Sequence, residues 1–254
     1  MNGIGTARDL KEAIRCFHQG AEGGDLYCIG WYASFLAHGE GIAKDEKEAV
    51  KWYRKGAQQD DAFCQAALGC CYLKGAGIEK NEKEAVKWFT KAARKNHAVG
   101  QGYLGFCYLE GLGVDQDEKK AVEWLLKAGR QNDGYAQGLL GRCYLEGTGV
   151  EKDEVEAVQW LTKAAKLGDT YGQAHLGFCY LYGEGVDVDE KEGFQWMKKA
   201  AEKNYEWAQE RVGHCYEEGV GVDVDLKLAA EWYQKAARNG NDAAKEALLR
   251  LNVK

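Results

Sequence analysis

Proline is absent from all 254 residues, and only two methionines are present. With no proline, no position is barred from a helix interior by a missing amide, so uninterrupted helices are permitted along the whole chain. No apolar run approaches the roughly 18 residues a membrane-crossing helix needs. The first ten residues, "MNGIGTARDL", lack the apolar stretch of a secretory leader. A cytoplasmic protein, with no membrane association, is the resulting expectation. Nine cysteines are an odd number and no two are spaced C-x-x-C, which argues against a disulfide framework or a ribbon-type zinc site. Positive charge is also short, with 34 Lys and Arg against 40 Asp and Glu for a formal net charge of −6. Nucleic acid and anionic membrane, which both need clustered positive charge, are therefore excluded as main partners.

Repetition is what the chain has in quantity. Trp52, Trp88, Trp124, Trp160, Trp196 and Trp232 recur every 36 residues, as do Cys71, Cys107, Cys143, Cys179 and Cys215. Gly39, Gly75, Gly111, Gly147, Gly183 and Gly219 keep the same period, each with a second glycine two residues later, and Gly3 and Gly5 match that pair. Seven periods of 36 residues account for nearly the whole length, so residues 1–254 are expected to form one repeating object without linkers.

Each period reads as two helices. Helix B starts at an Asx residue, at positions 9, 45, 81, 117, 153, 189 and 225. Glu12, Glu48, Glu84, Glu156 and Glu192 follow three residues later, the pattern of a capping box. After the cap, Ala49, Trp52, Tyr53, Gly56 and Ala57 fall on one helical face. Helix A is represented by "DDAFCQAALGCCYLKG", in which Cys64, Leu68, Cys71 and Tyr72 share a face before Gly75 and Gly77 end the helix. Gly69, Gly105, Gly141, Gly177 and Gly213 each cost about 0.8–1 kcal/mol against alanine in a helix interior. Close backbone contact is the expected reason, with the recurring tryptophan lying over the gap. Pairs of this kind cannot bury their apolar faces alone and must stack. The recurring cysteine shares the tyrosine's face and is replaced by Phe35 in the first period, which makes it small apolar filler rather than a thiol site. Neighbouring copies should sit about 8–10 Å apart, too far for a disulfide.

The segment "AQGLLGRCYLEGTGVEKDEVEAVQWLTKAA" (136–165) carries the pattern A-x-x-x-L-G-x-x-Y-x-x-G-x-G-V followed by D-x-x-x-A-x-x-W-x-x-K-A-A. It resembles the Sel1-like repeats, a branch of the tetratricopeptide-like α-solenoids, and the resemblance covers essentially the whole chain. It implies an all-α fold, a right-handed superhelix of about seven helix-turn-helix repeats. It also implies an adaptor or scaffold that holds another protein, with no catalytic residue, cofactor or metal to carry over. Family members often have proline after the Gly-Val turn, where this chain has Glu79, Asp115, Glu151, Asp187 and Asp223. Some cysteine-rich relatives have been associated with penicillin binding and weak β-lactamase activity. A small-molecule-binding or weakly hydrolytic protein is therefore the alternative, although the paired cysteines of those relatives are missing here.

If the recurring residues hold the scaffold, the varying ones are where function should lie. A stripe on helix A spaced i, i+4, i+7, about 140° from the core leucine, reads Tyr27, Trp31, Ser34; Phe63, Ala67, Cys70; Val99, Tyr103, Phe106; Tyr135, Leu139, Arg142; Tyr171, His175, Phe178; and Trp207, Arg211, His214. Tyr182 extends the fifth row. Tyr, Trp and Arg dominate binding hot spots, and in tetratricopeptide-like solenoids helix A lines the concave side. A groove that holds a protein or peptide segment is expected there. Its candidate residues are Trp31, Tyr103, Phe106, Arg142, His175, Phe178, Tyr182, Arg211 and His214. The first stripe position is so regularly aromatic that packing between A helices is the expectation for Tyr27, Phe63, Tyr135, Tyr171 and Trp207. The acidic surface suggests a partner with basic residues.

Other constellations are incomplete. The D-x-D pairs Asp115/Asp117, Asp187/Asp189 and Asp223/Asp225 lack the remaining ligands of a calcium loop and suit helix N-termini. The five histidines share no zinc spacing, and "GEGV" lacks the phosphate-cradling lysine. At the start of the chain, helix B near residues 9–20 has no preceding helix A, so Ile14 and Phe17 are expected on an exposed edge open to self-association. At the other end, residues 241–252 read as a shortened helix A that closes the array.

Overall fold

The structure, a computed structural model, describes the backbone of residues 7–251 and the side chains of residues 10–251. Fourteen helices and no strand are present among the described residues, giving an all-α solenoid of paired helices. They divide into two compact units, residues 1–127 and 128–254. The first contains α1 (Ala7–Glu22), α2 (Leu26–His38), α3 (Glu46–Gln58), α4 (Ala62–Lys74), α5 (Glu82–Arg94) and α6 (Ala98–Glu110). Helix α7 (Glu118–Gly129) spans the division. The second contains α8 (Gly134–Glu146), α9 (Glu154–Lys166), α10 (Thr170–Tyr182), α11 (Glu190–Glu202), α12 (Glu206–Glu218), α13 (Leu226–Arg238) and α14 (Asp242–Arg250). Odd-numbered helices are type B and even-numbered helices type A. Gly3, Gly5 and Asn252 lie outside the described residues.

The expected Asx caps form, but only half of the capping box does. Asp45 Oδ1 accepts the Glu48 amide at 2.9 Å and Asn81 Oδ1 that of Glu84 at 3.0 Å. The cap's own amide is used elsewhere: Asp45 N donates to Leu36 O and Asn81 N to Tyr72 O, joining the end of helix A to the start of helix B. Freed from the box, Glu48 and Glu84 pair with Lys51 and Lys87. The first B helix starts earlier than expected, at Ala7, two residues before Asp9.

The mid-helix glycines also need a correction. The space at Gly69 is filled by the Phe89 ring, at Gly105 by Leu125, at Gly141 by Leu161, at Gly177 by Gly193 O and the Met197 backbone, and at Gly213 by Tyr233. The filler is thus the residue after each tryptophan. The tryptophans instead occupy the seam between their own helix A and the preceding helix B. Trp52 meets Tyr32 edge-on at 5.5 Å and His18 at 6.1 Å; Trp196 packs on the cluster around Leu161 and Leu176. Across both units the lysine three residues on lies 3.8–4.6 Å from the indole centroid, covering the outer face.

A polar element closes five of the B-to-A turns, from α3/α4 to α11/α12. Gln65, Gln101, Gln137, Gln173 and Gln209 are all buried. Each donates from Nε2 to a carbonyl eight residues upstream, at the end of helix B; the shortest bond is Gln137 to Gly129 O at 2.8 Å. The helix-end carbonyl, which also accepts the backbone amide three residues on, thereby gains a second donor within its own turn.

The first helix is not left open. Ile14 is only 6% exposed, and Phe17 packs at a tilt against Phe35 at 5.7 Å and Tyr27 at 6.2 Å, so α2 covers the face expected to be bare. In unit 2, α14 closes against α12 and α13: Arg250 forks onto Glu217 at 2.7 and 2.9 Å, and the Tyr233 hydroxyl donates to the same carboxylate.

Candidate partner-binding face

In unit 1 the helix-A stripe emerges as an aromatic surface. Tyr27 is 67% exposed, Trp31 42% and Phe63 40%. Trp31 stacks on Phe63 with centroids 6.3 Å apart and planes 23° apart, and Tyr27 meets Trp31 at 6.1 Å. Phe63 does pack, as its regular position suggests, because its ring fills the place of a Cβ at Gly30. Its outer face remains in solvent, and Tyr27 is chiefly a surface residue. Beyond Phe63 the surface sinks into a cavity of about 480 Å³ between α2, α4 and α6, with Phe63 and Tyr103 among its walls. Tyr103 lies nearly parallel to Phe89 at 5.2 Å. Phe106 is half-buried.

In unit 2 the stripe is tighter. His175 sits between Tyr171, 3.9 Å away, and Trp207, 4.9 Å away and stacked. Burial, with the Arg142 charge nearby, lowers its pKa to about 4. At neutral pH it is therefore an uncharged ring within a stack. Phe178 bridges Trp207 at 5.8 Å and Tyr182 at 4.4 Å, and Tyr182 is exposed. Arg211 lies 5.9 Å from the Trp207 centroid and 3.3 Å from the Glu210 carboxylate. Arg142 is felt electrostatically by Tyr171, His175 and Tyr205. His214 is half-buried on the same helix as Arg211, near enough to Glu217 to act on its charge. Trp31 and Tyr103 thus belong to the unit 1 surface, and His175, Phe178, Tyr182 and Arg211 to one aromatic stack in unit 2.

The cavity walls include residues that sequence reasoning passed over. Ser34, Ala67, Cys70 and Tyr53 line it. The signal was present in the stripe as small residues at two positions where other repeats carry Tyr103, Phe106 or Phe178.

The recurring cysteines are buried, except Cys71, which is half-buried. All nine cysteines are free. Burial pushes Cys107, Cys179 and Cys215 up to about 12, which suppresses the thiolate that nucleophilic work requires. Among the described residues, no group of three or more His, Cys, Asp or Glu side chains could hold a metal ion. No described helix is long and apolar enough to cross a membrane.

Comparison with known proteins agrees with this architecture. The Sel1 repeat model matches seven segments, residues 1–25, 29–61, 62–97, 98–133, 134–169, 170–205 and 208–241. A solved Sel1 repeat protein from Oxalobacter formigenes is 31% identical with a TM-score of 0.77, covering 91% of this chain and 92% of that one. A protective antigen present in uropathogenic Escherichia coli strains, which displays an SLR fold, is 35% identical with a TM-score of 0.69. That alignment covers 96% of this chain and 52% of the antigen, so the chain spans about half the antigen's length. An immunity protein from Pseudomonas aeruginosa, 17% identical with a TM-score of 0.58 over 84% of this chain and 81% of that one, shares the fold. No curated protein sequence matches.

Proposed function

The chain belongs to the Sel1 repeat family, whose members are generally protein–protein interaction modules, and we propose that it is a non-enzymatic scaffold holding a segment of another protein on the face lined by its A helices. The observation that carries this reading is the exposed aromatic surface of unit 1. Tyr27, Trp31 and Phe63 present contiguous rings to solvent, and clustered exposed aromatics mark interaction sites. In unit 2 the stack around Trp207 is half-buried, and Tyr182 at its edge is the ring it presents to solvent.

Site-specific photocrosslinking tests the proposal. A benzophenone amino acid at position 27 is expected to capture a partner, and Trp31→Ala to abolish that capture in a variant that still unfolds cooperatively. The same group at position 87, on the exposed side of α5, should capture nothing comparable. Equal capture from both positions would falsify the assignment of the face, as would a Trp31→Ala variant that loses stability while keeping its partner.

A further inference from the structure

We infer that the unit 1 cavity recognises one large apolar side chain of the partner segment together with a carboxylate beside it. The inference rests on the scaffold reading and deepens it by naming what the partner presents. The hollow is a deficit of side-chain volume. Ser34, Ala67 and Cys70 line it, where the equivalent positions of other repeats carry Phe106, Tyr103 or Leu139. Aromatic walls at Phe63 and Tyr103 and the buried Tyr53 make the interior apolar, and about 480 Å³ falls within the range of specific ligand pockets. The mouth continues onto the Trp31–Phe63 stack, so the residues flanking an inserted side chain have a surface to lie on. That continuity favours a polypeptide over a compact small molecule.

Charge selects the neighbour of the inserted side chain. Two lysines and one glutamate line the cavity, a balance of +1 on a chain of −6. Lys44 is held by Glu46 at 2.7 Å, and those two charges cancel. The surplus is Lys74, in the last turn of α4, which no carboxylate among the described residues approaches as an ion pair. His38 donates from Nδ1 to Ser34 O, a bond that both of its protonation states make, and His97 Nδ1 accepts from Gly100 N, so neither ring contributes negative charge. The local field therefore favours an acidic neighbour, opposite in sign to what the net charge alone suggests.

Fluorescence anisotropy with three nine-residue probes in glycine–serine spacers tests this. One has tryptophan flanked by aspartates, one tryptophan flanked by lysines, and one alanine flanked by aspartates. Only the first is expected to bind the wild-type chain, more weakly as salt rises. Ala67→Leu, which fills the hollow, should weaken it at least about tenfold, and Lys74→Glu, an exposed change, should move the preference toward the lysine probe. Melts establish that each variant folds, and Lys74→Glu decides alone if Ala67→Leu does not. Equal or better binding of the lysine probe, or binding of the acidic probe indifferent to both substitutions, overturns the inference. If no probe binds while position 27 still crosslinks a partner, this inference fails and the scaffold reading stands. If crosslinking fails as well, both fall.

Discussion

Gly177→Ala is expected to destabilise unit 2 by about 2 kcal/mol or more, whereas Gly69→Ala in unit 1 should be close to neutral. Both substitutions gain the same helix propensity, about 0.8–1 kcal/mol. They differ in what the new methyl meets. At Gly69 a Cβ would come within 2.6–2.7 Å of two Phe89 ring carbons, and a ring can tilt. The first repeat already shows the accommodated form, since the same position is Ala33, fully buried, with Tyr53 at the place of Phe89. At Gly177 the Cβ would lie 2.8 Å from Gly193 O and from Met197 N. Those are backbone atoms of α11, so the two helices must separate. Gly193 itself stands where Ala49, Ala85, Ala121, Ala157 and Ala229 stand in the other repeats, which is how α11 comes so close. Overpacking costs about 1–3 kcal/mol, and contact with rigid backbone places Gly177→Ala at or above the top of that range. Subtracting the propensity gain leaves the figure given. Urea unfolding measures it as a shift in midpoint at unchanged slope. Equal effects at the two sites, or stabilisation by Gly177→Ala, would show that helix contact is not why these glycines recur.

Two further outcomes follow from the polar contacts. Burial pushes the Glu217 carboxyl up, but donation by Tyr233 and Arg250 outweighs it and holds the group below its ordinary value. A depressed folded pKa stabilises above the unfolded value and is lost as the pH falls through the folded one. The stability gap between wild type and Glu217→Gln, measured by urea melts, should therefore be full at pH 7 and shrink toward pH 3; a gap independent of pH refutes the pairing. Gln137→Leu removes one of the two donors to Gly129 O, which keeps the Asn132 amide, and should cost about 0.5–1.5 kcal/mol, the worth of one hydrogen bond. Wild-type stability in the same melts would count against the turn-closing role.

Much of this architecture was legible because it depends on local chemistry repeated at a fixed interval. Asp45 and Asn81 cap because an Asx side chain reaches the third amide of any helix it precedes, and Gly75 ends α4 with φ +73°. What escaped depends on neighbours. Trp88 and Phe89 both lie toward the apolar side of α5, and a helical wheel cannot say which one meets Gly69 and which enters the seam. Gln65, Gln101, Gln137, Gln173 and Gln209 keep the 36-residue period as faithfully as the tryptophans, yet a polar residue beside a core face does not announce its burial. The stripe could be read from the sequence, but the cavity within it is made of what Ser34, Ala67 and Cys70 lack. His175 looked like a surface imidazole; only the distances to Tyr171 and Trp207 show a ring enclosed by two others.

The glutamine at five of the B-to-A turns bonds to a carbonyl only eight residues back, and the Asx residue that starts each B helix from α3 to α13 joins the helix just before it. These turn and cap bonds are therefore made within a single period, and the contacts that cross, such as Lys55 to Ala21 O and Lys203 to Gly168 O, reach only the adjacent one. A stretch of 36 codons copied in frame would insert its own cap and turn bonds together with one more indole for the next seam, and deletion of such a stretch would remove those bonds whole. The gene can lengthen or shorten by whole modules through unequal recombination, while the side chains of the A-helix stripe diverge separately in each copy.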